Sequence, residues 1–280
     1  YQEKEPDLPW ERYIAMTHQQ MTANISHSKD NLMSAQDIAD VMESAYIVYQ
    51  QRLQEAADQN QRPPVRFAFS YHAINYYCGL YNLDELLTRM ESLMNAVDPL
   101  DFGLESMYGL ISLPAFYCQY LTEYPEKIPG RKAYIENFYQ KILDYVEIFP
   151  EASGNETLFF YLRQLSATFL ETKDSISYKD FILKLLIRFA PDTYIHSYVV
   201  GKAAVALCEI IYKEENDFFE DIDFIHGIDN PEAKRQAIQD YAMECGIFHD
   251  TGKLNFLSLY SQSGRQWFEN EYEIAHLHTV

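Results

Sequence analysis

The stretch RKAYIENFYQKILDYVEIF, residues 131–149, shows the pattern that decides the fold class of this chain. Its large apolar side chains recur every three or four residues, so they share one face of a helix. They are Tyr134, Phe138, Ile142, Tyr145 and Phe149. A face of this kind is more often packing core than a ligand-binding surface. The stretch therefore predicts an amphipathic helix that buries one side.

The same pattern extends over the first 175 residues, where helix-ending residues separate its segments. The breaks lie at Pro63-Pro64, Asp98-Pro99, Pro125, Pro129-Gly130 and Pro150. The predicted helices cover residues 9–27, 34–60, 63–79, 82–97, 103–123, 130–149 and 154–172. Only 10 Gly and 11 Pro occur in 280 residues, which favours helices over a turn-rich β fold. We therefore predict an all-α protein.

Helices of this length with short links predict an array of helical hairpins over residues 1–175, loosely resembling tetratricopeptide repeats. Two interpretations of the array remain open. It presents a concave surface to a peptide or protein partner, as such arrays do, or it is a bundle that only supports a second domain. A short polar link at residues 171–175 places the boundary, so the second domain is predicted over residues 176–280.

Charge and cysteine usage limit the possible partners. The formal net charge of −20 disfavours polymeric nucleic acid and anionic membrane surfaces, which require a basic patch. It does not exclude a small phosphorylated ligand, because a bound metal supplies local positive charge. The four cysteines are scattered without metal-binding spacing, which indicates buried free thiols and a cytoplasmic protein. No apolar run approaches the ~20 residues of a membrane span, so none is predicted.

The pentapeptide His249-Asp250-Thr251-Gly252-Lys253 carries the strongest chemical signal. Imidazole and carboxylate together are ligands for divalent first-row metals. The lysine that follows provides a point charge for a phosphate group. The sequence therefore predicts a metal site close to a phosphate-binding group.

Three strings together resemble the HD superfamily of metal-dependent phosphohydrolases, nearest to its HD-GYP subgroup. They are HSYVVGKAAVAL from His196, ECGIFHDTGKL from Glu244 and ENEYEIAHLHT from Glu269. The subgroup pattern reads roughly T..H, HDIGK and E...H. The positions that match it are Thr193, His196, His249, Asp250, Gly252, Lys253 and His278.

The resemblance implies a metal-dependent phosphodiesterase acting on a small phosphorylated nucleotide, with a cyclic dinucleotide as the best single expectation. It implies His196, His249, Asp250 and His278 as metal ligands, with Asp250 bridging two ions. Asp250 and Lys253 would carry the catalysis. Iron or manganese suits these ligands best, and magnesium, nickel or zinc are further options. The N-terminal helices would regulate the activity.

Two features of the last motif bear on this expectation. His276 and His278 are two residues apart, so one helix cannot turn both inward, and His278 is chosen because Ile274 and Ala275 share its face. The chain stops at Val280, before the second histidine pair and the GYP segment that the subgroup carries, which predicts an incomplete domain.

The alternative function is a non-catalytic signalling scaffold with a degenerate HD domain and a partner-binding array.

Overall fold

The computed structural model describes residues 4–8, 34–77, 79–150, 156–173, 175–214, 218–256, 266 and 268–276. Within these ranges the regular secondary structure is helical and no strand occurs, which confirms the all-α prediction. The α-helices of the described residues are α1 (Ala35–Asp58), α2 (Val65–Tyr77), α3 (Leu83–Asn95), α4 (Leu104–Met107), α5 (Leu113–Thr122), α6 (Ile128–Ile148), α7 (Glu156–Ala167), α8 (Tyr178–Phe189), α9 (Pro191–Glu214), α10 (Pro231–Phe248) and α11 (Glu269–His276). A π-helical turn at Tyr108–Ser112 joins α4 to α5.

The predicted helices and the observed ones agree closely where both are described, except that α7 ends at Ala167 and not at residue 172. The predicted segment 9–27 lies outside the described residues. The predicted helix 103–123 exists, but the π-helical turn interrupts it. Pro129-Gly130 is not a break, because both residues lie in the first turn of α6, where proline is tolerated.

The chain divides into two compact units, Tyr1–Pro129 and Gly130–Val280. The predicted boundary at residue 175 therefore falls inside the second unit. Aromatic packing explains the difference, because Tyr139 of α6 stacks on Phe169 with ring centroids 4.2 Å apart and meets Phe181 of α8 edge-on. Its hydroxyl also accepts a hydrogen bond from the Leu170 amide at 2.8 Å. These contacts join α6 to α8 across the predicted link.

The first unit is held by a dense aliphatic and aromatic core. A capping box fixes the start of α3, since the Asn82 side chain accepts from the Glu85 amide and the Glu85 carboxylate accepts from the Asn82 amide. The core side chains contributed by α3 to α5 are fully enclosed: Leu86, Leu87, Met90, Ile111, Leu113, Tyr117, Cys118 and Leu121. Burial on this scale is the main stabilising term for such a unit.

The second unit confirms the predicted apolar stripe of residues 134–149. Phe138, Ile142, Tyr145 and Phe149 of the α6 segment are buried, and Tyr134 is half-buried. Local signals also place the later helices. Ser177 caps α8 by accepting from the Asp180 amide at 3.1 Å. Asn230 caps α10, ahead of Pro231 at its first position.

The cysteines only partly follow the expectation of burial. Cys78 lies outside the described residues. Cys118 is buried and Cys208 is half-buried, whereas Cys245 is exposed, and all three are free thiols. The expectation is therefore wrong for Cys245, which lies on the flank of α10.

Helix α9 is largely exposed along its length. Only Thr193, Ser197 and Gly201 are buried among its residues. Its outward side chains include several large apolar groups: Ile195, Val199, Leu207 and Ile210. By length and composition α9 is the one helix in the described part of the chain that could cross a membrane. A single helix of this kind is weak evidence for a membrane segment.

Candidate metal centre

Two glycines bring α9 and α10 into backbone contact. A Cβ atom on Gly246 would lie 2.2 Å from the Cα of Gly201 and 2.4 Å from its nitrogen, far inside contact distance. A Cβ on Gly201 would in turn meet the Met243 carbonyl oxygen at 3.0 Å. Only glycine allows helices to approach this closely without displacement. The crossing point of the hairpin is therefore fixed by Gly201 and Gly246.

Polar contacts near the other end of α9 hold the same hairpin. The guanidinium of Arg235 on α10 binds both carboxylate oxygens of Glu209, with Nε 2.7 Å from Oε1. The Gln239 amide donates to the same carboxylate. The hydrogen bonds from Arg235 hold the pKa of Glu209 below its usual value. Early residues of α9 thus face late residues of α10, and the two helices run in opposite directions.

The glycine crossing places His196 beside the His249-Asp250 pair. His196 lies just over one turn before Gly201, and His249 lies almost one turn after Gly246. The imidazole Nε2 of His196 is 3.8 Å from Asp250 Oδ2, and that of His249 is 3.4 Å from the same atom. The two imidazole rings have centroids 5.4 Å apart. Three ligand groups, one on α9 and two directly after α10, therefore converge on one point.

The orientation of His249 suits a metal ligand. Its Nδ1 lies 2.8 Å from the carbonyl oxygen of Gly246. A carbonyl oxygen only accepts, so Nδ1 carries a proton and donates it. In the neutral imidazole the free lone pair is then on Nε2, the atom that faces Asp250. A backbone carbonyl on the far nitrogen is the usual way in which proteins fix the tautomer of a metal-binding histidine.

Asp250 is the buried anchor of the cluster. Its residue is 3% exposed, so its charge must be compensated within the protein. Lys253, one 3₁₀ turn later in Thr251–Phe256, donates to Asp250 Oδ2 at 2.6 Å. The His196 side chain, by contrast, is 58% exposed, which leaves the cluster open to solvent. Helix α10 ends at Phe248, and the 3₁₀ segment that follows includes Gly252.

The donor set fits a divalent ion. The ligand atoms of His196, His249 and Asp250 all lie within 4.8 Å of one another. Ligands about 2.1 Å from an ion are at most about 4.2 Å apart, so the cluster needs only a small contraction to bind one. Two imidazoles and one carboxylate match the preference of first-row ions over magnesium. Within the described residues this is the one such group of three His, Cys, Asp or Glu ligands.

The remaining histidines either lie outside the described residues or do not belong to the cluster. His278, the fourth ligand expected from the resemblance, lies outside the described residues, as do His18 and His27. His276 is exposed on α11. His226 Nε2 lies 2.7 Å from the Glu220 carbonyl oxygen, and His226 is not part of the cluster. His72 belongs to the first unit, where burial lowers its pKa to about 4.

Sequence reasoning did not find Gly201 and Gly246 as the residues that assemble the centre. Both lie in apolar helical runs, VVGKAA and ECGIF, and a glycine there costs helix stability unless close packing requires it. A glycine in each of these helical runs was therefore the sequence signal for close helix packing. Comparisons of the chain with protein-family models, with curated proteins and with solved structures found no match. The resemblance to the HD superfamily therefore rests on the quoted motifs.

Proposed function

We propose that this chain is an HD-type metal-dependent phosphohydrolase, acting as a phosphodiesterase on a small phosphorylated nucleotide. The observation that carries the proposal is the convergence of His196, His249 and Asp250 within 4.8 Å, from parts of the chain about 50 residues apart. An accidental acidic patch would not also present a tautomer-fixed imidazole and an adjacent lysine. The motifs HDTGK and HSYVVGK supply the family expectation.

The residues have separable roles in this proposal. His196 and His249 offer neutral nitrogen ligands, and Asp250 offers an anionic oxygen ligand. A divalent ion held here lowers the pKa of a bound water and stabilises negative charge on phosphate oxygens. The Gly246 carbonyl keeps His249 in the binding tautomer. The exposed edge of His196 leaves room for the substrate to approach.

Lys253 has two roles in this proposal: it contacts Asp250, and it binds the substrate phosphate. Its ammonium group lies 2.6 Å from Asp250 Oδ2, the same oxygen that both histidines face. Ion binding at that oxygen would weaken the lysine contact, because two cations compete for one carboxylate. The released ammonium group is then available to a non-bridging phosphate oxygen. We propose this exchange as the reason for the lysine's position.

The substrate, location and regulation follow from the same proposal. A cyclic dinucleotide is the best single substrate because it is a small phosphodiester and a cation-bearing site accepts it despite the net charge of −20. We place the protein in the cytoplasm and assign the N-terminal helices a regulatory role, with a peptide or protein as partner.

One observation favours a second function. With Lys253 on Asp250, the carboxylate is neutralised by the protein itself, so the fold does not depend on an ion. A degenerate HD domain of this kind would be a non-catalytic signalling scaffold whose helices bind a partner. Catalysis and scaffolding differ in metal-dependent turnover.

The experiment that separates them pairs metal analysis with a phosphodiesterase assay on the whole chain. Wild-type protein should bind manganese or iron(II) and hydrolyse bis(para-nitrophenyl) phosphate or a cyclic dinucleotide. Asp250→Ala should lose metal affinity by more than about 100-fold, and turnover with it. Asp240→Ala is the matched control, because Asp240 is exposed on α10 and, among the described residues, accepts a hydrogen bond only from Gln236, at 2.8 Å.

Lys253→Ala adds a third arm. It should retain bound metal and reduce turnover by about 100-fold, as the loss of a charge-stabilising group does. Full activity in Asp250→Ala would eliminate the mechanism. Bound metal without turnover on either substrate would select the scaffold.

A further inference from the structure

A small cleft lies next to the candidate metal centre. A cleft of about 140 Å³ opens between α7, α8 and the 3₁₀ segment that follows Asp250. Its floor is apolar, made of Leu162, Ile182, Leu185 and Leu254. Thr251 and Gly252, the two residues directly after Asp250, form one wall. The cleft and the metal centre therefore share a short piece of backbone.

The charge of this cleft is unusual for so acidic a chain. Among the described residues that line it, Arg163 is the one charged residue, and none is acidic. The Arg163 side chain is exposed and forms no ion pair or hydrogen bond with the residues that the structure describes. A guanidinium without a carboxylate partner, in a chain with a net charge of −20, is free to bind an anion.

A larger groove in the same unit shows the contrast. That groove measures about 480 Å³, and its lining includes Asp144 and Glu147 as well as Lys184 and Arg188. Arg188 there donates to the carbonyl oxygens of Val146 and Phe149 and is committed to the end of α6. Its acidic lining opposes anion binding. The smaller cleft is thus the better anion site of the two.

Tyr178 gives the cleft a second hydrogen-bond donor. Its ring is held edge-on against Phe169, with centroids 5.6 Å apart, and its hydroxyl has no hydrogen-bond partner among the described residues. Burial raises the pKa of the phenol, so it stays protonated at neutral pH. Ser166 and Thr251 donate to the carbonyl oxygens of Leu162 and Phe248. Arg163 and Tyr178 therefore remain as the donors for a ligand.

We propose that this cleft binds a second phosphoryl group of the substrate, with Arg163 as its charge partner and Tyr178 as a hydrogen-bond donor. The inference rests on the proposed phosphohydrolase function and narrows its substrate to molecules with two phosphate groups. The volume supports a phosphoryl group rather than a whole nucleotide, since a cavity of about 150 Å³ holds one small ring. A forked guanidinium is well suited to phosphate oxygens.

The first test requires no metal, so it is independent of catalysis. Inorganic pyrophosphate is titrated into the whole chain in the presence of a chelator, and binding is measured by calorimetry at low salt. Arg163→Ala should weaken binding by at least about 10-fold, the worth of a hydrogen bond to a charged group. Lys184→Ala, which removes one exposed cation from α8, should leave it unchanged.

Two outcomes of this titration overturn the site. One is wild-type protein that does not bind pyrophosphate. The other is an equal loss in Arg163→Ala and Lys184→Ala, which would show a non-specific charge effect. Tyr178→Phe should produce a smaller loss than Arg163→Ala, since it removes a neutral donor.

The second test uses metal-loaded protein and two substrates. A cyclic dinucleotide carries two phosphates, and bis(para-nitrophenyl) phosphate carries one. Arg163→Ala should raise KM for the dinucleotide by about 10-fold and leave KM for the single phosphate unchanged. Equal KM changes for both substrates would contradict a second-phosphate site. Absence of turnover in wild-type protein would count against the proposed function, whereas the pyrophosphate titration still decides the cleft.

Discussion

Helices α5 and α9 are held in place by different means. Helix α5 buries seven of its ten residues, including Tyr117, Cys118 and Leu121, in the core of the first unit. Helix α9 buries only three of its 24 residues, and two of these, Ser197 and Gly201, are small. Its position depends on the glycine crossing with α10 and on the Glu209–Arg235 pair.

The difference shows what an open chemical site requires of its helix. A helix as deeply buried as α5 has few side chains left to present to a substrate. Helix α9 leaves the His196 side chain 58% exposed, yet the backbone contact at Gly201 fixes where that histidine lies. The placement of His196 thus comes from this backbone contact and the Glu209–Arg235 pair more than from burial along the helix. Each kind of support should respond to a different mutation.

The largest effect is expected from one substitution made in both helices. Leu121 on α5 is fully buried, and Leu207 on α9 is 58% exposed. Leu121→Ala should lower the free energy of unfolding by about 2–5 kcal/mol, because it leaves a cavity. Leu207→Ala should change it by less than about 0.5 kcal/mol. Denaturant unfolding followed by circular dichroism measures both, and a comparable loss in Leu207→Ala would break the comparison.

A smaller loss of stability, with a larger effect on the site, is expected from Gly246→Ala. Its Cβ would overlap the Gly201 backbone, so α9 and α10 must separate. We expect a loss of about 1–3 kcal/mol, as in overpacked cores, together with loss of metal binding. Gly130→Ala is the matched control, because no atom of the described residues lies within 4 Å of a Cβ there. Wild-type metal affinity in Gly246→Ala would show that the glycine crossing does not position His196.

The smallest expected effect is a pH dependence of the free energy of unfolding, caused by His72 in the first unit. Burial, with a contribution from the Arg89 charge, lowers the pKa of His72 from 6.5 to about 4. The unfolded chain therefore binds the proton more tightly, and stability is lost as the pH falls from about 6.5 through about 4. After allowance for partial exposure, the loss should be about 1–2 kcal/mol.

The variant His72→Phe isolates this term, because it keeps an aromatic ring beside Tyr81. Between about pH 7 and about pH 4.5, wild-type protein should lose more stability than the variant. Above about pH 7 the difference between them should stay constant, since His72 is then neutral in both states. A constant difference over the whole range would show that His72 does not titrate with folding.

The prediction of the helices succeeded because its signals are local. The stripe of Phe138, Ile142 and Tyr145 and the punctuation at Pro63-Pro64 depend only on neighbouring residues. The boundary at residue 175 had no such basis, since the packing of Tyr139 on Phe169 and Phe181 joins residues far apart in sequence. The polar link at residues 171–175 does not separate the two units, which divide at Pro129.

By itself the sequence determined the all-α class, most helix ends and the local half of the candidate centre. His249, Asp250 and Lys253 come together because they follow one another within about one helical turn. The family resemblance named His196 as a further ligand, but only the tertiary structure brings it beside them, and only the tertiary structure places Arg163 and Tyr178 next to the turn after Asp250. The physical reason is distance along the chain. Contacts within a turn are set by backbone geometry, whereas contacts between helices depend on how closely two surfaces can pack, here on Gly201 against Gly246.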